Sequence, residues 1–95
     1  MADLPENMPP ASFQTLVDLL AGQAAVSLGL IPGPDGQTEK RLNLARHMID
    51  LIAVVEEKTK RNLTGHEDQY LQAALHSLRA HYLNAMKDDV TGAHA

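Results

Sequence analysis

Apolar residues recur at steps of three and four in three stretches, each closed off by Pro, Gly or Asn. The first holds Phe13, Leu16, Val17, Leu19, Leu20, Val26 and Leu28. The second holds Leu44, Ala45, Met48, Ile49, Leu51, Ile52, Val55 and Thr59, with Arg46, Asp50 and Glu57 opposite. The third holds Leu71, Ala74, Leu75, Leu78, Tyr82, Ala85 and Met86, with His76 and Leu83 on the far side. This spacing matches the 3.6-residue period of a helix, and no alternation of useful length points to a strand. The pattern predicts an all-α, three-helix domain: helix 1 over 13–28, helix 2 over 44–60 and helix 3 over 65–86. Residues 12–86 form the domain, preceded by a flexible, Pro-rich lead-in over 1–11 and followed by an aperiodic, disordered tail over 87–95.

The residues between the stretches carry start and stop signals. Ser12 is placed to cap helix 1 by accepting from the Thr15 amide, and Gly29 suits a left-handed C-terminus. Asn43 is the expected cap of helix 2 and Asn62 its left-handed stop. Thr64 with Glu67 three residues on is a capping box for helix 3. Pro34-Asp35-Gly36 has the composition of a tight turn, and Leu30 and Ile31 are expected to fold back on the core. Arg46/Asp50, Glu56/Lys60 and Glu57/Arg61 stand four apart, where each pair supports a helix by roughly 0.2–0.5 kcal/mol.

Helix 1 is too apolar around its circumference for one neighbour to cover, since a surface helix shows a stripe of roughly 100°. We therefore expect a second copy to complete the fold as a homodimer, through Phe13, Leu16, Val17, Leu20, Gly22, Ala25 and Leu28. Gly22 admits two readings: close approach by another backbone, or an exposed face weakened by about 1 kcal/mol relative to Ala. Asp18 on the same side is either a solvated residue or a buried one needing a partner such as Arg79.

Composition narrows the classes of function. The chain has 95 residues, one domain's worth, and is 44% hydrophobic but only 3% aromatic, so the core must be aliphatic. Eight Lys and Arg against 12 Asp and Glu leave a net charge of −4, which opposes non-specific binding to a polyanion. With no Cys there is no disulfide and no thiolate site. The acidic, Pro-punctuated start does not read as a secretion signal, and Leu16 to Ile31 is too short to span a bilayer. These features point to a cytoplasmic protein.

No candidate chemistry assembles. His76 and His81 are five apart and turned away from each other, and His66-Glu67-Asp68 lacks the second His of a zinc helix. His81 reads as a rim residue, and His47 falls on the polar face of helix 2. The adjacent pairs Glu56/Glu57 and Asp88/Asp89 point apart, and no Gly-x-Ser-x-Gly occurs. Gly33 begins no phosphate loop, because no Gly-Lys-Ser/Thr follows it. Lys40, Arg41, Arg46, Lys58, Lys60 and Arg61 could touch phosphates, but Glu67 and Asp68 stand at the end of helix 3 that would enter a groove.

Four blocks nonetheless form a recognisable set: Met8-Pro9-Pro10-Ala11-Ser12-Phe13 with Leu16-Val17; Leu28-Gly29-Leu30-Ile31-Pro32; Glu57-Lys58-Thr59 with Asn62-Leu63-Thr64; and Leu75, Leu78-Arg79 and Tyr82. Together they resemble a small bacterial family, domain of unknown function 1844, over about residues 8–83. The resemblance implies no activity. It implies family roles for Phe13, Pro32, Thr59, Asn62, Arg79 and Tyr82, with Asp18, Arg79 and Tyr82 the candidate polar site. It also implies Gly where this chain has Arg61, and an acidic residue where it has His66.

The expected function is a non-catalytic, homo-oligomeric interaction or scaffold module without cofactor or metal, with a second copy or another protein as its partner. The alternatives are a nucleic-acid- or ribosome-associated accessory protein using the basic cluster, and a small-molecule binder built on Asp18, Arg79 and Tyr82.

Overall fold

The computed structural model describes residues 7–92, the side chains of 89–92 excepted. It contains α1 (Phe13–Ser27), α2 (Leu42–Lys58) and α3 (Gly65–Gly92), and no strand among the described residues. The predicted all-α, three-helix architecture is what the chain adopts. Residues 1–6 of the expected lead-in and 93–95 of the expected tail lie outside the described residues.

Each helix starts or stops for an identifiable chemical reason. The Ser12 hydroxyl accepts from the Thr15 amide at 3.1 Å, and Thr15 Oγ1 donates to the Pro10 carbonyl at 2.6 Å, which fixes the entry to α1. At its exit the Gly29 amide donates to Val26 O and the Leu30 amide to Ala25 O, both at 3.0 Å, with Gly29 at φ 79°. That paired closure satisfies carbonyls the helix would otherwise orphan. The capping box of α3 forms as predicted, with Thr64 N to Glu67 Oε1 at 2.9 Å and Glu67 N to Thr64 Oγ1 at 3.1 Å.

Four local expectations are corrected. α2 begins at Leu42, with Arg41 rather than Asn43 before it and no side-chain cap. Packing of Leu42 on the core and a 2.7 Å bond from the Arg41 amide to the Ser27 carbonyl anchor that end instead. The left-handed residue after α2 is Arg61 at φ 70°, one position before Asn62. Leu30 and Ile31 remain exposed, because the turn at Gly29 aims them outward. Finally, α3 runs on to Gly92, past the predicted end at Met86, and Met86 is 41% exposed rather than buried.

The helices run up, down and up. Tyr70, near the start of α3, reaches Asp18 near the start of α1, while the Ala85 carbonyl meets Lys40 Nζ at 3.3 Å beside the start of α2. α3 therefore lies parallel to α1 and antiparallel to α2, and residues beyond Ala85 project past the other two helices. At 28 residues α3 is about 42 Å long, which accounts for the longest dimension of 46 Å; the shortest, 17 Å, leaves room for two helix layers.

Val17, Ile52, Leu71 and Leu75 are the largest fully buried side chains, and the fully buried Ala24 and Ala45 let the α1 and α2 backbones approach closely. Phe13, Tyr70 and Tyr82 pack against this core without being enclosed by it.

Candidate functional site

On α1 the buried positions Val17, Ala24 and Leu28, with Phe13, Leu20 and Ala21 beside them, form one stripe toward the core. At about 100° per residue, a second apolar stripe lies about 120° around the same helix: Leu16, Leu19 and Val26, interrupted by Gln23. Leu16 is 43% and Leu19 61% exposed. The only charged residue of α1 is Asp18. It accepts a hydrogen bond from the Tyr70 hydroxyl and so marks the flank facing α3. The outer stripe points the other way and carries no charge.

α2 repeats the arrangement. Its core residues are Ala45, Ile49 and Ile52, and Glu56, accepting from Gln72 Nε2 at 2.5 Å, marks the side facing α3. Leu44, Leu51 and Val54 stand roughly 135° from the core stripe, at 41%, 36% and 51% exposure. The two outer stripes flank the α1/α2 groove on the side opposite α3. They meet at a depression of about 310 Å³, where Gln23 and Val26 of α1 face Leu44 of α2. One wall of that depression is the loop Gly33–Gln37, held tight by Gly33 N to Gln37 O and Gly36 N to Gly33 O, both 2.9 Å, and by Asp35 Oδ1 accepting from the Gln37 amide at 3.1 Å. The predicted turn at Pro34-Asp35-Gly36 is this wall.

The apolar residues of α1 that stay exposed thus differ from those expected from sequence to face a second copy. Val17 and Leu28 are inside the protomer's own core, Phe13 and Leu20 pack on it, and Ala25 is half-buried. A Cβ at Gly22 would meet nothing within 4 Å, so no part of the chain approaches it closely. Of the seven residues first assigned to an interface, only Leu16 stands fully on the outer stripe. Leu19 and the α2 positions were missed, because periodicity alone cannot tell which of two apolar stripes a helix turns inward. The signal was present: Leu16, Leu19, Gln23, Val26 and Leu30 follow a 3-4-3-4 spacing of their own.

The candidate polar residues do not converge. Arg79 and Tyr82 border a shallow depression with Arg46, Ile49, Asp50 and Leu83, whereas Asp18 is engaged with Tyr70 three helical turns away along α3. That bond holds the Tyr70 phenol above its ordinary value, mainly because the hydroxyl donates to Asp18 and secondarily through burial. The basic residues divide between the two ends of α2. Arg41 bonds Glu39 at 2.6 Å, which lowers the Glu39 carboxyl through that hydrogen bond and the guanidinium charge, and Arg46 sits 3.9 Å from Asp50. Lys58, Lys60 and Arg61 lie at the other end. His47, His66, His76 and His81 are all exposed. Among the described residues no three His, Asp or Glu side chains gather as a metal site would require.

Three packed helices, with an uncharged outer stripe on α1, define a small helical domain. The family model for the domain of unknown function DUF1844 matches residues 10–84, and the chain belongs to that family. Neither a curated protein nor a solved structure matches the chain. No helix among the described residues is long and apolar enough to cross a membrane.

Proposed function

We propose that this protein is a non-catalytic interaction module that works as a homodimer, assembled through the outer face of α1 and α2. The carrying observation is that five large aliphatic residues, Leu16, Leu19, Leu44, Leu51 and Val54, stay between 36% and 61% exposed, on the stripes that helical phase turns away from the core of α1 and α2. Together they leave on the order of 400 Å² of apolar surface in water, the size of the largest patch on a typical monomer, and such patches are often functional. The absence of charge from the α1 stripe supports the same reading, since interface centres are depleted of charged residues. A non-catalytic role is supported by the polar inventory. Among the described residues Ser27 is the only buried polar side chain, and its hydroxyl is spent on the Gln23 carbonyl at 2.9 Å.

The test is sedimentation equilibrium of the full chain beside Leu19→Asp and Val54→Asp variants. Both positions are exposed in the protomer, so the variants should keep their helical circular dichroism. Wild type should sediment as a dimer at micromolar concentration, and each variant as a monomer. A wild-type protein that stays monomeric at tens of micromolar ends the proposal.

A further inference from the structure

The loop that joins α1 to α2 sets a carboxyl beside the backbone nitrogen best able to attack it. Asp35-Gly36 is the only Asp-Gly in the chain, and no Asn-Gly occurs. Glycine has no side chain to crowd its nitrogen, so closure of a five-membered ring on the preceding carboxyl meets least hindrance there. Both residues are exposed, and water reaches them. The turn itself requires this pair: Gly36 sits at φ 80°, which only glycine adopts without strain, and Pro34 presets the turn's first φ. The dipeptide that closes the turn is thus also the one in the chain most prone to rearrange.

We propose that Asp35-Gly36 is a spontaneous modification site, converting to isoaspartate through a succinimide, and that the folded turn holds the reaction back. The Gly36 nitrogen attacks Cγ of the protonated Asp35 carboxyl. Its proton and the carboxyl hydroxyl leave together as water, and the new N–Cγ bond closes the ring. Water then adds to one of the two ring carbonyls. Opening at the N–Cγ bond restores Asp35, whereas opening between the Asp35 carbonyl carbon and the Gly36 nitrogen leaves the chain running through Cβ and Cγ. One water is released and one taken up, so the net change is an isomerisation.

The hydrogen bonds of the turn engage both reacting groups. The Gly36 amide donates to the Gly33 carbonyl at 2.9 Å, so the proton that must leave is held. Asp35 Oδ1 accepts from the Gln37 amide at 3.1 Å, which ties the carboxyl to the residue beyond the one it must join. Ring closure gives up both bonds, and two hydrogen bonds of ordinary strength slow a reaction by about thirtyfold. A third bond, Gly33 N to Gln37 O at 2.9 Å, pins the loop across its base. Isoaspartate lengthens the backbone by one atom inside that closure, and the product no longer fits the turn it came from.

The experiment keeps the full chain at neutral pH, folded in one sample and unfolded in concentrated urea in another. Trypsin then releases Met1–Lys40, since Lys40 is the first Lys or Arg of the chain, and electron-transfer fragmentation separates isoaspartate from aspartate at each position. Isoaspartate should appear at residue 35 before any other residue of the digest, about thirtyfold faster unfolded than folded. Asp35→Glu should abolish it in both samples, because its ring would have a sixth member, and Gly36→Ala should slow it in urea, where the strain of the turn is absent. Equal rates in the two samples would overturn the shielding by the turn. Isoaspartate arising first elsewhere, or at the same rate in unfolded Gly36→Ala, would overturn the site.

Discussion

At the scale of single residues, Arg61 is the one non-glycine residue at positive φ among those described. It sits at φ 70°, where an L side chain crowds its own carbonyl at roughly 1–2 kcal/mol. The resemblance to the family implies Gly at this position, and the geometry supplies the reason. Arg61→Gly should stabilise the chain by about 0.5–1 kcal/mol after the extra freedom of Gly in the unfolded state is subtracted. Urea denaturation followed by circular dichroism checks it, and an unchanged or lower midpoint would show that Arg61 makes a compensating contact. Tyr70 offers a titration instead. Its phenol is raised above the ordinary value of about 10 by donating to Asp18. The folded state therefore holds that proton more tightly than the unfolded state. The contact's stabilisation is complete below pH 10 and disappears as pH rises through the folded-state value. In a Tyr82→Phe background, ultraviolet titration should give a midpoint above 10 for Tyr70, and Asp18→Asn should bring it down.

At the scale of the helix, what could be read from sequence was whatever depends on local chemistry. Ser12, Gly29 and the Thr64/Glu67 box all act where they were placed, because a cap needs only the residue and its own helix end. The start of α2 was misplaced for the opposite reason: an amide bond to Ser27 and packing of Leu42, both tertiary, take over from a side-chain cap. Phase suffered in the same way. The sequence shows that α1 is apolar over more than one stripe, but its choice of Val17 and Leu28 over Leu16 and Leu19 for the core depends on where α2 and α3 lie. Of the polar set, Arg79 and Tyr82 come from family likeness and Asp18 from its place on the first helix, and neither source carries information about which side chains share a surface. Phase on α3 is directly testable. Leu75 is fully buried and Leu83 is 58% exposed. Leu75→Ala should cost about 2–5 kcal/mol through lost transfer energy and a cavity, whereas Leu83→Ala should stay within about 0.5 kcal/mol. Equal losses would mean that the helix is rotated relative to this description.

At the scale of the whole molecule, the tension lies between a short chain and a core made of few large side chains. Among the described residues only Val17, Ile52, Leu71 and Leu75 of the larger side chains are completely enclosed, and no aromatic ring is. A domain of this size buries a smaller share of its surface than a larger one and has little stability in reserve. Covering the outer face of α1 and α2 with a second copy would then add to folding stability as well as provide a binding surface. Folding coupled to dimerisation makes stability depend on concentration, because dilution favours two unfolded chains over one folded pair. Each tenfold rise in protein concentration should stabilise the pair by about 1.4 kcal/mol of dimer, visible as a steady climb of the urea midpoint between one and one hundred micromolar. Leu19→Asp should abolish that climb without first unfolding the protomer, since the residue stands in solvent there. If wild type unfolds at the same midpoint across that range, the apolar face contributes nothing to stability and its role in self-association fails with it.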